Sequence, residues 1–467
     1  MNVAVVGGGA VGLSTALALG RHGASVTVFE RDELGSGASG RAAGLCYDAF
    51  ADDVDAAVAA DAITRYRDLD LFEPQPYVWV ARDESDAAAV REQIAGMQRN
   101  GVAVEALTPA ELGDRYPALD TSGIEVAGLA SDAGVLDPDA MVATLAETAR
   151  EAGSTIETET PVSLASPTTV ETPDETRTFD AVVVAAGPQT KPLVADIGVS
   201  LALKAYRAQA LVTEPVDAAL PSFYDATREF YWRPKADALL VGDGAHEVDP
   251  TEWNPEADAE FVTRSLDRVE QSTALSPACD RAWSGLCTAT PDGAPLAGQV
   301  ADGLWVATGW QGHGLMRAPA MGDYLAADVL NRPNPLSEHL PDRVDPTRFD
   351  GSEEFAALDD RRVTGTSECA VRKCIRSNQE SSSPSSADSA SPSTSVFASA
   401  SVPPSVPLSS VSTPTSVAAS SSCPGSAFGT RTWSVPLLLS VAWAVSGSTA
   451  ASLGRVTLPS SASPRPG

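Results

Sequence analysis

Three glycines at the spacing Gly7-x-Gly9-x-x-Gly12, with Glu30 further on, carry the clearest chemistry in the chain. The pattern suits a pyrophosphate. Gly7 permits a tight turn, Gly9 lets backbone N–H groups approach the phosphates, and Gly12 lets a helix pack close to a strand. The helix N-terminus, at Ala10 and Val11, offers unpaired N–H donors and a partial positive charge. Glu30 lies about 20 residues on, where a carboxylate accepts both hydroxyls of a ribose. An acid there disfavours a 2′-phosphate and so NADP. FAD and NAD are not separated by this motif.

Two other stretches bear on that choice. Residues 36–45 (SGASGRAAGL) are small and glycine-rich with one arginine. Small residues let backbone lie against a large flat ligand, and Arg41 can reach a phosphate or the flavin edge. The competing reading is a flexible surface loop. Near the far end, GWQGHG (309–314) precedes a helix. A helix N-terminus aimed at a flavin N1/C2 carbonyl would stabilise the anionic reduced ring. His313, one of four histidines, favours that same charge, lines a substrate cavity, or is a hydrogen-bonded structural histidine.

These groups need a scaffold. Val3 to Val6 is a short apolar run, as expected of a parallel strand buried on both faces. A helix follows over about Ala10 to His22, ended by Gly23, then a strand over Ser25 to Phe29. This is a βαβ unit with a right-handed crossover. Further on, the patterns predict a helix over Val142 to Ala152 and strands over 155–159, 168–172, 181–186 and 304–308. A last helix is predicted over about Ala318 to Leu330. The fold class is therefore α/β. A discontinuous dinucleotide-binding domain spans 1–75, 137–205 and 281–335. A mixed-sheet α+β domain, 76–136 and 206–280, is inserted into it.

The formal net charge is -30 and the sequence pI is about 4.4. That balance argues against nucleic acid and anionic membrane surfaces as partners. Nearly all acids lie before about residue 360, and lysines are few. Such a surface suits a protein kept soluble in high salt, so the host is read as halophilic. The six cysteines form no CxxC pair and no disulfide ladder, which points to a reducing cytoplasm. No leader pattern precedes the first strand, and no integral membrane segment is expected. Residues 351–467 turn rich in Ser, Pro, Thr and Ala, and after about residue 360 only Glu368, Glu380 and Asp388 remain as acids. Such a segment cannot offset its ordering entropy and is expected to be disordered. The abrupt loss of acids is also what a reading-frame shift in GC-rich DNA would give, so this tail is assigned no function.

The GGGAVGLSTALAL start, Glu30-Arg31, SGRAAG, GVLDP (134–138), VVVAAGP (182–188), TPDGAPLAG (290–298) and GHGLMRAPAMG occur in one order and spacing. Together they resemble the D-amino acid oxidase-like FAD-dependent oxidoreductases, over about residues 1–335. The resemblance implies a Rossmann-like FAD-binding fold with a separate substrate domain. It implies FAD held by Gly7, Gly9, Ala10, Val11, Gly12, Glu30, Arg31, Ser39, Arg41, Gly44, Val162 and Gly187, and by the backbone of Gly312, His313, Gly314 and Leu315. Some sarcosine oxidases attach flavin through a cysteine; counted back from Asp292, that position here is Gly285, so noncovalent FAD is expected. The activity implied is oxidation of a small amine or amino acid, of D-amino acid, glycine or sarcosine type. Hydride would pass to the flavin and the imine would hydrolyse, with oxygen or another carrier taking the electrons.

One departure touches the substrate. Many relatives place an Arg or Tyr two residues after the Gly of a W-x-G-L-x motif. Here that motif is Trp283-Ser284-Gly285-Leu286-Cys287, and Cys287 takes the place. A substrate carboxylate needs a cation, ideally a bidentate arginine. Arg207, Arg233 and Arg317 are the candidate catalytic-site cations, beside His313, with Tyr231 and Trp232 as aromatic walls. The rival readings are an FAD-dependent 2-hydroxy acid or glycerol-phosphate dehydrogenase, and a non-catalytic flavin-binding subunit of a larger complex.

Overall fold

The structure is a computed structural model, and it describes residues 1–357 apart from His339. Strand β1 (Asn2–Val6), helix α1 (Ala10–Arg21) and strand β2 (Ser25–Phe29) form the expected unit, with β1 and β2 parallel. The first sheet has six strands, in the order Leu296–Ala301, Leu304–Thr308, Ala181–Val184, β1, β2 and Thr155–Glu157. Only the first pair is antiparallel. The apolar run in β1 is continuous because both faces are covered. Val3 and Val5 pack with Ala16 and Leu19 of α1 and with Val329. Ala4 and Val6 face Leu164 and Val170, which belong to a small antiparallel sheet over 163–178.

Two helices begin earlier than the pattern suggested. Pro138–Glu151 starts at a capped end, where Asp137 accepts from the N–H groups of Asp139 and Ala140. A cap with proline at the first position is a complete start signal. Gly314–Val329 contains Pro319 in its interior. Proline has no N–H for the carbonyl four residues back, which leaves Leu315 O without its helical donor. The phenol of Tyr66, on helix Asp53–Asp68, donates to that oxygen at 2.6 Å. Tyr66→Phe leaves a buried carbonyl unpartnered. It is expected to destabilise the fold by about 1–3 kcal/mol in denaturant titrations.

The second sheet has eight strands, in the order Cys279–Ala289, Lys204–Thr213, Ala238–Glu247, Phe230–Lys235, Ser222–Asp225, Tyr77–Ala81, Val126–Ala130 and Val104–Leu107. Only Ser222–Asp225 and Tyr77–Ala81 run parallel. Cys279–Ala289 pairs along Lys204–Thr213. The expected boundary at 281 therefore cuts through a strand of this sheet, and residues through 289 belong with it. An apolar strand pattern reveals burial but not which sheet accepts the strand. One face of the sheet carries Phe223, Phe230, Trp232, Leu239 and Val241 against Phe261 and Val269 of helix Ala259–Ser272.

The expectation of a disordered tail covers 351–467, and residues 358–467 lie outside the described residues. The first seven residues of that span are placed against the fold. Ala357 is buried and its N–H donates to Glu247 at 3.1 Å, while Phe355 lies beneath Lys204. The boundary at 351 was too early, because these apolar residues find Tyr206 and Ala289 as partners. No described helix is long and apolar enough to cross a membrane.

Candidate active site

A cavity of about 880 Å³ joins the β1–α1 turn to the glycine turn at 309–314. Its first end is built by close approach. Gly7 has a φ of 114°, and a Cβ there would collide with the Ala185 carbonyl. A Cβ at Gly12 would overlap the Gly7 carbonyl. The Glu30 carboxylate is aimed by two backbone donors, Gly8 N–H at 2.8 Å and Asp32 N–H at 3.0 Å. Ser39 Oγ accepts from Ala10 N–H at 2.9 Å, which ties the 36–45 loop to the start of α1. Arg31, Arg41, Gly44, Val162 and Gly187 all line the cavity with Gly7, Gly9, Ala10, Val11 and Glu30. Gly12 does not line it and serves packing instead.

The second end rests on the strand Cys279–Ala289. Thr288 Oγ1 accepts from Gly309 N–H at 3.1 Å and Trp310 N–H at 3.3 Å, and its carbonyl accepts from Gln311 N–H at 2.9 Å. Gln311 and Gly312 take positive φ values of 51° and 80°, and the chain then enters the helix at Gly314. No side chain caps that helix end. Gly312, His313, Gly314 and Leu315 line the cavity.

His313 is buried, sits edge-on to Phe50 at 5.9 Å, and keeps Nε2 without a protein partner. Burial, aided by the nearby Arg317 charge, pushes its pKa from 6.5 down to about 3. Burial therefore favours the neutral imidazole. The helix end beside it offers a partial positive charge. Between those two pKa values the unfolded chain binds a proton that the folded chain refuses. Stability contributed by the neutral ring is thus full above pH 6.5 and falls as pH drops towards 3. His313→Gln is expected to flatten that acid slope in urea titrations run at a series of pH values.

The second sheet turns its other face to the cavity. Across paired strands, Tyr206 stands opposite Cys287, Ala208 opposite Gly285 and Ala210 opposite Trp283. Tyr231 lies over Gly242, where any Cβ would strike the phenol ring. The result is a low floor of small side chains flanked by Tyr206, Tyr231 and Trp283, shaped for a flat ligand. Trp232, expected as a wall, points to the opposite face and stacks on Phe223 at 4.1 Å.

The three candidate arginines are all engaged elsewhere, and none lines the cavity. Arg207 donates to Asn254 O at 2.8 Å, Ser284 Oγ at 3.0 Å and the Asp258 carboxylate at 2.8 and 3.2 Å, and also to Glu256 O. Arg233 donates to the carbonyls of Ala43 and Pro234. Arg317 pairs with Asp55 at 3.0 Å over the Phe50 ring. Each is held by protein groups, and Arg317 Nε is buried without a partner. The floor residues Tyr206, Ala208 and Thr288, and Trp253 from the 248–258 loop, escaped the sequence reading. Alternation along 204–210 and 283–287 is visible in the sequence, but nothing local says which face meets a cavity.

A family model described as FAD dependent oxidoreductase (DAO) matches residues 2–328. The chain belongs to this family. FAD is accordingly its cofactor. This DAO-family chain is 28% identical to the glycine oxidase of Geobacillus kaustophilus, over 71% of this chain and 93% of that protein. It is 26% identical to the mitochondrial sarcosine dehydrogenase of Homo sapiens, over 71% of this chain but only 40% of the relative. Several curated relatives are therefore more than twice the matched length. Among solved structures, the L-proline dehydrogenase from P. horikoshii superposes with a TM-score of 0.69 at 24% identity, covering 76% of this chain and 99% of that one. That likeness shows the shared fold. The site fits the cofactor on its own geometry: a glycine cradle that a Cβ would fill, an aimed carboxylate, a cavity long enough to join both ends, and an unpartnered buried His313 nitrogen. Glu30 and the α1 N-terminus would hold the nucleotide half, and the 309–315 turn the ring half.

Proposed function

We propose that this DAO-family chain oxidises a small amine or amino acid to an imine that water hydrolyses. The observation that carries the reading is the low, aromatic-flanked sheet floor facing the glycine turn within one cavity. Bound FAD supplies the two-electron acceptor for hydride from the carbon bearing nitrogen. The protein's part is alignment and exclusion of water. Tyr206, Tyr231 and Trp283 wall the floor and restrict a small substrate to near-attack poses. The His313 ring, kept neutral by burial, offers a hydrogen-bonding atom to an amine that must itself be unprotonated, since its lone pair forms the C=N bond as hydride leaves. Oxygen or an electron-transfer protein reoxidises the cofactor. The acidic composition supports work in a salt-rich cytoplasm, which is tested by whether melting temperature rises steadily with KCl.

FAD is held noncovalently in this reading. Gly285 offers no attaching side chain, and burial pushes the Cys287 thiol up to about 11, far from the thiolate that would attack a ring. Acid precipitation is expected to leave a colourless pellet and a yellow supernatant. The activity itself is tested by anaerobic titration of the FAD-loaded full chain in high salt with glycine, sarcosine and D-amino acids. Bleaching by one of them supports the reading. Bleaching by 2-hydroxy acids alone sinks it.

A further inference from the structure

With Cys287 in the usual arginine's place and Arg207, Arg233 and Arg317 all engaged by protein groups, the cavity's own cations decide how a carboxylate is met. Arg31 and Arg41 line it. Arg31 is exposed beside Glu30, at the nucleotide end, and pairs with Asp32 at 2.9 Å. Arg41 is half-buried and leans towards the sheet floor. Its carbonyl accepts from Trp283 Nε1 at 3.1 Å. Its guanidinium lies 5.3 Å from the Trp253 ring centroid. A Cβ added to Gly285 would come within 3.3 Å of Arg41 Cβ, so the bare strand leaves room for this side chain. Among the described residues no carboxylate forms an ion pair with it. Asp243, an acid also lining the cavity, is taken by Arg264 and Arg268.

We propose that Arg41 is the residue that binds the substrate's carboxylate, in place of a cation on the strand that carries Cys287. The aromatic face of Trp253 holds the guanidinium plane and leaves its N–H edge to fork onto two carboxylate oxygens. The cation has moved from the sheet to the 36–45 loop, and the pair Gly285 and Cys287 gives it space. Substrates with a carboxylate near the reacting nitrogen are therefore favoured over plain amines. This rests on the amine and amino-acid reading only for the identity of the substrate.

The test titrates FAD-loaded full-length wild type, Arg41→Gln and Arg41→Lys with acetate, using acetamide as the uncharged control. Binding is read by calorimetry and by perturbation of the flavin spectrum, and FAD per chain is measured for each. Arg41→Gln is expected to weaken acetate about tenfold to a hundredfold. FAD content and acetamide binding should stay as in wild type, and Arg41→Lys should fall between. Three results overturn the proposal: unchanged acetate affinity in Arg41→Gln, wild type binding acetate no better than acetamide, or loss of FAD from Arg41→Gln. The last would make Arg41 a cofactor ligand. If Arg41→Gln fails to fold, Arg41→Lys decides: several-fold weaker acetate supports the proposal, and unchanged affinity overturns it. Should no amine bleach the flavin while acetate binding still depends on Arg41, the amine reading fails and this one stands.

Discussion

Replacing Gly9 with valine is expected to give a folded protein that no longer holds FAD. Gly9 has an extended backbone, with φ -85° and ψ 179°, which valine adopts without strain. The nearest atom to an added Cβ is Ser39 Oγ at 3.1 Å, a side-chain atom whose shift gives up at most its bond from Ala10 N–H. The fold therefore tolerates the change. The cavity does not, because Gly9 lines it where backbone must approach the pyrophosphate. FAD affinity should fall at least ~100-fold, about 2.7 kcal/mol. Far-ultraviolet circular dichroism should match that of wild type stripped of flavin. The contrasting variant is Gly12→Val, whose Cβ would overlap the Gly7 carbonyl. It should lose both colour and fold. Equal flavin content in Gly9→Val and wild type would contradict the cradle.

Arg207→Ala is expected to cost about 3 kcal/mol of stability without removing carboxylate binding. Arg207 is 2% exposed and gathers the carbonyls of Asn254 and Glu256, the Ser284 hydroxyl and the Asp258 carboxylate. Half of the Asp258 side chain is in solvent, so its ion pair contributes little. The Asn254 carbonyl keeps the Ser284 hydroxyl as a donor at 2.6 Å, so the cost comes from the Glu256 carbonyl, which loses its donor, and from the volume the side chain vacates. The loop so pinned carries Trp253, the ring that faces Arg41. Arg207→Lys should recover little, because an ammonium cannot fork across these acceptors. Urea titration of the FAD-loaded variants reads the cost. A loss of acetate binding in Arg207→Ala with unchanged stability would instead place Arg207 at the substrate.

Local signals and distant partners divide what the sequence revealed. Residues 1–30 were legible because their chemistry is local. A sheet covered on both faces writes a continuous apolar run, and the glycine spacing and Glu30 follow within one βαβ unit. The glycine turn at 309–314 was legible for the same reason. Its helix was placed late because Pro319 reads as a boundary, and only the distant Tyr66 phenol makes an interior proline affordable. The sheet floor was illegible. Tyr206 and Arg207, or Tyr231 and Trp232, are neighbours pointing to opposite faces, and local sequence does not say which face packs on helix 259–272. Arg207 looked like a substrate cation because its partners lie about 50 residues on, in a loop without pattern. Nothing near Arg41 in the sequence announces Trp253 or Gly285, so its place beside the sheet floor was not legible.

All of this depends on a flavin stretched between the β1–α1 turn and the His313 turn. The most direct measurement is the visible absorption spectrum of the purified full chain, with flavin released and counted per chain. The expected result is an oxidised-flavin spectrum with one FAD per chain, bleached anaerobically by a small amino acid. A colourless protein that also refuses added FAD would contradict the account.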